Sequence, residues 1–275
     1  MITYQGLGYA GRLGNQMFQY AALLGIANKL NFEPKVPIEN SFASIDAHMD
    51  LVTGQYIKSR LDLIDCFEVS TNNFISKSDI RTQNIYQEQS FHFDTNVFNI
   101  NDNTDLHGYY QSDKYFNHCS DLIRAEFTFK KPILDKCIDL LSPYSNTVSI
   151  HVRRGDYVGL QNHHPLVTAE YYQSALTNYF VNDEYTFLVF SDDIKWCKEV
   201  FPEGVIFMEG NTQFEDMCLM SLCNHNIIAN SSFSWWAAWL NNNKDKKVIA
   251  PKNWFGPAYY HYNTNDLYPS NYIKL

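Results

Sequence analysis

The segment His151-Val152-Arg153-Arg154-Gly155-Asp156-Tyr157 gathers an imidazole, two guanidiniums and a carboxylate around one glycine. A guanidinium stays charged at any working pH and can hold two phosphate oxygens at once, so one of these arginines suits a diphosphate. Asp156 is then available to orient the other arginine through an ion pair. Because side chains alternate along a strand, His151 and Arg153 are expected on one side and Arg154 on the other. An isolated pair of arginines serves a structural ion-pair network more often than a ligand. The surroundings favour the ligand.

Two further segments have phosphate-binding chemistry. In Asn230-Ser231-Ser232-Phe233-Ser234-Trp235-Trp236 a strand end passes into an aromatic helix. Ser232 or Ser234 is expected to cap that helix, whose first amides and positive dipole end favour an anion. Trp235, Trp236 and Trp239 are read as core. At the other end of the chain, Gly11-Arg12-Leu13-Gly14-Asn15-Gln16 is a glycine loop feeding a helix to about Leu30, with two side-chain amides for hydroxyls or phosphate oxygens.

Competing motifs are weaker. Gly6-Leu7-Gly8-Tyr9-Ala10-Gly11 spells a dinucleotide fingerprint with Glu33 about twenty residues on, but the strand before it is short and half polar. There is no GKS or GKT sequence. No Asp-x-Asp occurs, and the adjacent Asp192-Asp193 pair should diverge, so no divalent metal or other cofactor is expected. Fixed cations must then neutralise a leaving group.

The elements that position these residues are legible from about Ser145 onward. Apolar runs at 148–150, 185–190, 205–208 and 226–229 alternate with helical patterns at 169–180 and 214–223. Strands alternating with helices imply a parallel sheet, and ligands lie beyond the carboxyl ends of such strands. Arg153 and Arg154, Ser191 to Asp193, and Asn230 to Ser234 follow three of these runs. Residues 31–105, interrupted by Pro34 and Pro37, show little periodicity.

The composition, with 45% hydrophobic and 16% aromatic residues, is that of a folded chain. Its net charge of −9 argues against nucleic acid or an anionic membrane as a partner. Six cysteines without a CxxC pair are expected as buried thiols in a reducing compartment. Neither a leader nor a transmembrane segment is found, which predicts a cytoplasmic protein. Asn230-Ser231-Ser232 is a chance match to a glycosylation acceptor.

Five ordered segments, Gly11 to Tyr20, Gly108-Tyr-Tyr-Gln-Ser-Asp-Lys-Tyr-Phe116, His151 to Tyr157, Phe190 to Asp193 and Asn230 to Leu240, resemble the bacterial alpha-1,2-fucosyltransferases of glycosyltransferase family 11. Their motifs are also similar to those of the protein O-fucosyltransferases. The resemblance implies an α/β, GT-B-like two-lobed fold with a Rossmann-like parallel-sheet donor domain. The lobes would span 1–140, mainly acceptor-side but contributing the Gly11–Gln16 loop to the donor site, and 141–275, whose tail is able to return to the first lobe. It implies inverting, metal-independent transfer from GDP-fucose to a galactose-containing oligosaccharide or lipid-linked glycan, with peripheral contact at the inner face of the cytoplasmic membrane.

By the same resemblance Arg153 holds the diphosphate, Asn15 approaches the phosphate or fucose, and Ser232, Phe233 and Ser234 complete a phosphate wall. His151, Arg154, Gln16, Asp192 and Ser231 join the donor-binding set. Arg12 stands where many bacterial relatives have glycine, which bears on acceptor choice. For the base that assists the acceptor hydroxyl, Asp156, Asp113, His92 and His164 remain open. Alternatives are an alpha-1,6 or peptide O-fucosyl activity, a nucleotide-sugar binding module, a nucleotide hydrolase and a dinucleotide oxidoreductase.

Overall fold

The computed structural model describes residues 1–9, 11–42, 48–49, 56–57, 61–181 and 185–275. Ala10, within the glycine fingerprint, lies outside the described residues. The chain forms two units, one of residues 1–130 and 262–269, the other of residues 131–261 and 270–275. The division at Lys130 precedes the expected boundary at 140 for a packing reason. The helix Lys131–Leu141 sits with the second unit, where Lys136 Nζ meets Glu215 Oε1 at 2.7 Å.

In the first unit the strands are β1 (Ile2–Thr3), β2 (Pro34–Pro37), β3 (His48–Met49), β4 (Tyr56–Ile57), β5 (Phe74–Ile75), β6 (Asn84–Gln87) and β7 (Thr104–His107). Five of them form a parallel sheet in the order β5-β2-β1-β7-β6, and β3 and β4 pair antiparallel. Several of these strands span only two residues, too short for a period to show in the sequence. Helix α1 (Leu13–Leu30) follows the first loop and is buried along nearly its whole length, as an apolar helix without a polar face must be. Its Gly25 permits close packing: a Cβ there would stand 2.3 Å from the Tyr115 carbonyl oxygen.

The second unit has β8 (Thr147–Val152), β9 (Thr186–Ser191), β10 (Ile206–Phe207), β11 (His225–Ile227), β12 (Val248–Ala250) and β13 (Ile273–Lys274), all parallel, in the order β10-β9-β8-β11-β12-β13. Every residue of β8 is buried, consistent with a central strand covered on both faces. On one face Val148, Ile150, Val152, Val189, Ile227 and Ile249 pack with Tyr172, Ala175 and Cys197. Tyr172 and Ala175 belong to the helix Ala169–Tyr179, and Cys197 to Ile194–Val200. Next to Ser149 the polar Asn226 is satisfied, donating to Ser149 Oγ and the Met220 carbonyl, both at 2.7 Å, and accepting from Asn241 Nδ2 at 2.8 Å.

This strand order begins in the middle, runs outward to β10, and then returns to β11 on the other side of β8. The crevice between the carboxyl ends of β8 and β11 is therefore the topological switch point, where open parallel sheets bind ligands. By the same reasoning the switch point of the first unit lies between β1 and β7.

The alternating elements after Ser145 appear where the sequence predicts them, with ends adjusted by one or two residues. The tail is divided. Residues 262–269 count with the first unit, where Asp266 accepts from Ser112 Oγ at 2.6 Å and pairs with Lys114 and, at 2.9 Å, with His92. The last residues add β13 to the second sheet, with Leu275 donating to the Ala250 carbonyl at 2.9 Å.

Candidate donor-phosphate site

At the switch point of the second unit β8 ends at Val152, so Arg153 and Arg154 lie in the loop beyond the strand. Their guanidiniums diverge as the alternation predicts, but the acid partners differ from expectation. Asp156 does not orient Arg154; it pairs with Arg153, because the turn Gly155–Gly159 brings position i+3 back over position i. Asp192 takes the other edge of the Arg153 guanidinium, which also lies 5.2 Å from the centre of the Tyr157 ring. Arg154 turns the other way, placing Nε 3.0 Å from Asp193 Oδ2 and its guanidinium 4.3 Å from the Trp196 ring centre.

Asp192 and Asp193 diverge as predicted. Asp193 caps the helix Ile194–Val200, accepting from Trp196 N at 3.1 Å, and that bond followed by the Arg154 contact lowers its pKa. The Ser-Asp-Asp spelling before a helix was the available signal for this cap. Asp192 Oδ1 accepts the amides of Arg154 at 2.8 Å and Gly155 at 3.1 Å. Glycine at 155 lets Asp192 approach closely, since a Cβ would stand 2.6 Å from Asp192 Oδ2 and the carboxylate would have to shift. The loop therefore presents one guanidinium and two consecutive amides to acidic oxygens, an arrangement suited to an anion.

His151 is 7% exposed, with its ring centre 5.6 Å from that of Phe233. Burial, with the Arg153 charge as a smaller cause, lowers its pKa to about 3, so it is neutral at physiological pH. Its Nδ1 is buried and has no hydrogen-bond partner among the described residues. A ligand group that donates or accepts there would satisfy it.

The helix Ser232–Leu240 starts beside this loop. Ser231, not Ser232 or Ser234, is its cap: Ser231 is extended at φ −136° and its hydroxyl accepts from Phe233 N at 3.3 Å. The helix begins at Ser232, earlier than a cap at Ser232 or Ser234 would place it. Ser232 and Phe233 are half-buried, whereas Ser234 is fully buried and donates to the Ser231 carbonyl at 3.4 Å. Of the expected phosphate wall, only Ser232 and Phe233 reach the surface. Trp235, Trp236 and Trp239 are core as expected. Asn230 is 1% exposed and donates to the carbonyls of Pro165 and Trp254, a placement that rules out a glycan on its side chain.

The first-unit residues are built separately. Gly11, at φ +84°, leaves room for Asn15, whose Nδ2 would lie 2.3 Å from a Cβ at that position. Asn15 Oδ1 accepts from Gln111 Nε2 at 2.8 Å. Gln16 is 1% exposed; its Oε1 accepts from Asp62 N at 2.8 Å and its amide donates to the Gly11 carbonyl at 3.4 Å, so it braces the loop. His92 is held by Asp266, His164 stacks on Tyr157 at 4.8 Å, and Asp113 stands beside Lys114 with its pKa raised by burial. Sequence reading missed Glu88, which lies in no motif, and left Gln111 without a role although it belongs to the Gly108–Phe116 segment.

Five of the six cysteines are buried and Cys119 is partly so. No helix among the described residues is long and apolar enough to cross a membrane.

The chain is 33% identical to an alpha-1,2-colitosyltransferase of Escherichia coli, over 97% of each chain. It is 30% identical to the O-antigen biosynthesis glycosyltransferase WbnK of Escherichia coli, covering 90% of this chain and 93% of that one. Identity to the Bos taurus galactoside alpha-(1,2)-fucosyltransferase 1 is 26% over 84% of this chain, which spans 64% of the bovine protein's length. Among solved structures, the fucosyltransferase NodZ from Bradyrhizobium superposes with a TM-score of 0.51 at 12% identity, covering 86% of this chain and 91% of NodZ. That likeness agrees with the GT-B-like, α/β fold class expected from the motifs. The model of glycosyl transferase family 11 matches residues 6–275, and with the site geometry and the full-length relatives it identifies this chain as a glycosyltransferase of that family.

Proposed function

We propose that the protein transfers L-fucose from GDP-fucose, with inversion and without a metal ion, to the 2-hydroxyl of a galactose-containing glycan. The observation that carries the reading is Arg153, held beside the Arg154 and Gly155 amides at the switch point of the donor-type sheet. The relatives support the linkage, since two of them are alpha-1,2 transferases.

As the bond from the anomeric carbon to the phosphate oxygen breaks, negative charge grows on the leaving diphosphate. Arg153 takes two of its oxygens, in exchange for a carboxylate it holds at rest, and the first amides of the helix Ser232–Leu240 take others. Fixed donors aimed at developing charge need no reorganisation at the moment of reaction, and each contributes roughly 3 kcal/mol. Asp156 holds the guanidinium in its plane. The acceptor hydroxyl attacks from the opposite face of the sugar. His151, neutral and buried, supplies Nδ1 to the nucleotide.

A second reading is favoured by the 33% identity to the colitosyltransferase: the donor sugar is colitose, which lacks the 3-hydroxyl of fucose. The two are separated by incubating the protein in EDTA with GDP-fucose or GDP-colitose and terminal beta-galactosides, following GDP release and the linkage by NMR. We expect acceptor-dependent release with GDP-fucose and a 1→2 product. Faster turnover of GDP-colitose selects the second reading. The absence of acceptor-dependent release with either donor refutes both, and loss of activity on adding EDTA refutes the metal-free mechanism.

A further inference from the structure

The switch point of the first unit carries a polar cluster that the reading above leaves unused. The loop after β1 brings Asn15 there at the start of α1, and the chain leaving β7 at Gly108 brings Gln111. Gln111 is 7% exposed. Its Nε2 donates to Asn15 Oδ1, and its Oε1 is buried with no hydrogen-bond partner among the described residues. With Nε2 turned to Asn15, the carbonyl end of the amide remains to be satisfied. Leaving a buried acceptor unmet is unfavourable, so such a group is retained where something else fills the bond.

The segment that presents Gln111 is held against its own backbone preference. Gly108 has φ +151° and Tyr110 φ +51°, the latter unfavourable for an aromatic residue. Glu88, just beyond β6, secures both, accepting the amides of Tyr109 at 2.7 Å and Tyr110 at 3.0 Å. A Cβ at position 108 would stand 2.4 Å from Glu88 Cβ, which explains the glycine. Tyr4 and Gln19 add bonds to the Gly108 carbonyl, the second at 3.2 Å. The fixed object is thus a carbonyl oxygen beside the Asn15 side chain, at the place where a parallel sheet accepts a ligand.

We propose that Gln111 Oε1 accepts a hydrogen bond from a hexose hydroxyl, making Gln111 a sugar-binding residue, with Glu88 as the positioning residue that fixes its segment. The chemistry is a hydroxyl donor, neutral and directional, from either the transferred sugar or the acceptor sugar. The role as part of a transfer reaction rests on the function proposed above; the binding of a sugar hydroxyl does not.

The test is a cycle of variant and deoxy-sugar. Gln111→Met keeps the volume and removes the polar end. In the wild type, removing the bonded hydroxyl from one substrate should raise its KM about tenfold, the worth of one such bond. In Gln111→Met the same deoxygenation should have no further effect, the coupling a double cycle isolates. Deoxy analogues of GDP-fucose showing the coupling assign the donor sugar, and deoxygalactosides assign the acceptor.

Gln111→Glu, which keeps acceptor oxygens in the same volume, should retain the discrimination and guards against a folding defect in the Met variant. Glu88→Gln should raise the same KM. Equal penalties for every analogue in wild type and variants would make Gln111 structural and overturn the proposal. If the wild type turns over neither nucleotide sugar, the functional reading fails. The site is then read by ligand-observed NMR with L-fucose and methyl beta-galactoside. A saturation-transfer signal that Gln111→Met abolishes upholds the proposal; no signal from either sugar, or one unchanged in the variant, overturns it.

Discussion

Arg153 is distinguished from Arg154 by the company each keeps. Arg154 lies on Trp196 and against the cap residue Asp193, partners that fasten two elements together. Arg153 meets Asp156, which holds its plane, and Asp192, a carboxylate that an anionic ligand can replace. Arg153→Lys keeps the charge and loses the planar fork, so kcat/KM for the nucleotide sugar should fall by roughly a hundredfold or more, with little change in the melting temperature. Wild-type kinetics in that variant would remove Arg153 from the site. His151 gives a pH prediction of defined sign. Its pKa in the folded protein is about 3 against an ordinary 6.5, so the unfolded chain binds the proton first. Its penalty is absent above pH 6.5, grows as the pH falls through that value, and levels off near pH 3. Chemical denaturation across that range should show a shallower acid loss in His151→Gln than in the wild type.

At the scale of elements, glycines and caps set how closely the pieces approach. Helix α1 passes the Tyr115–Phe116 backbone at Gly25, where a Cβ would lie 2.3 Å from one carbonyl oxygen and 2.7 Å from a Cα. Backbone cannot move aside as a flexible side chain does, so Gly25→Ala should destabilise the protein by about 1–3 kcal/mol in spite of alanine's higher helix propensity. A rise in the unfolding midpoint would contradict that packing. Ser231→Ala removes the hydroxyl that caps the helix Ser232–Leu240 and should cost about 1 kcal/mol. Because that helix end is also the proposed phosphate wall, GDP affinity should fall in the same variant; unchanged affinity would separate the cap from the site.

For the whole molecule, two Rossmann-type sheets with separate switch points explain why short motifs far apart in the sequence have related chemistry. Four of the five motifs lie at or after the end of a strand that borders a switch point, Gly11–Gln16 and Gly108–Phe116 in one unit, His151–Tyr157 and Asn230–Leu240 in the other. Phe190–Asp193 lies at the end of β9, one strand farther out. Ligand binding to the folded state raises global stability by mass action, so GDP at a hundred times its Kd should add about 2.7 kcal/mol to the unfolding free energy. The metal-free mechanism requires that gain to survive EDTA. Differential scanning calorimetry with and without the chelator measures it, and a gain that appears only with magnesium would defeat the mechanism.

Residue types and order in the sequence determined the central part of the second unit, the strands β8 to β11 and the helices Ala169–Tyr179, Gln213–Leu222 and Ser232–Leu240. Its strands and helices have contrasting periods, and the residues after each strand carry charges and hydroxyls that a core would exclude. The same reading identified the guanidiniums, the aromatic helix and the missing Asp-x-Asp. It gave Asp156 to the wrong arginine, because Asp156 is near enough in sequence to serve either and only the turn at Gly155–Gly159 decides between them, while Asp192 and Asp193 reach the arginines from the end of the neighbouring strand β9. It placed the helix cap at the wrong serine because three serines offer the same hydroxyl and backbone conformation selects one. In the first unit the sheet escaped detection, since strands of two to four residues carry no period and their register is set by neighbours brought from far along the chain. Glu88 holds the Tyr109–Tyr110 backbone and Gln111 meets Asn15 only because β6 and β7 end, and α1 begins, at the same edge of that sheet, a proximity that no local pattern encodes.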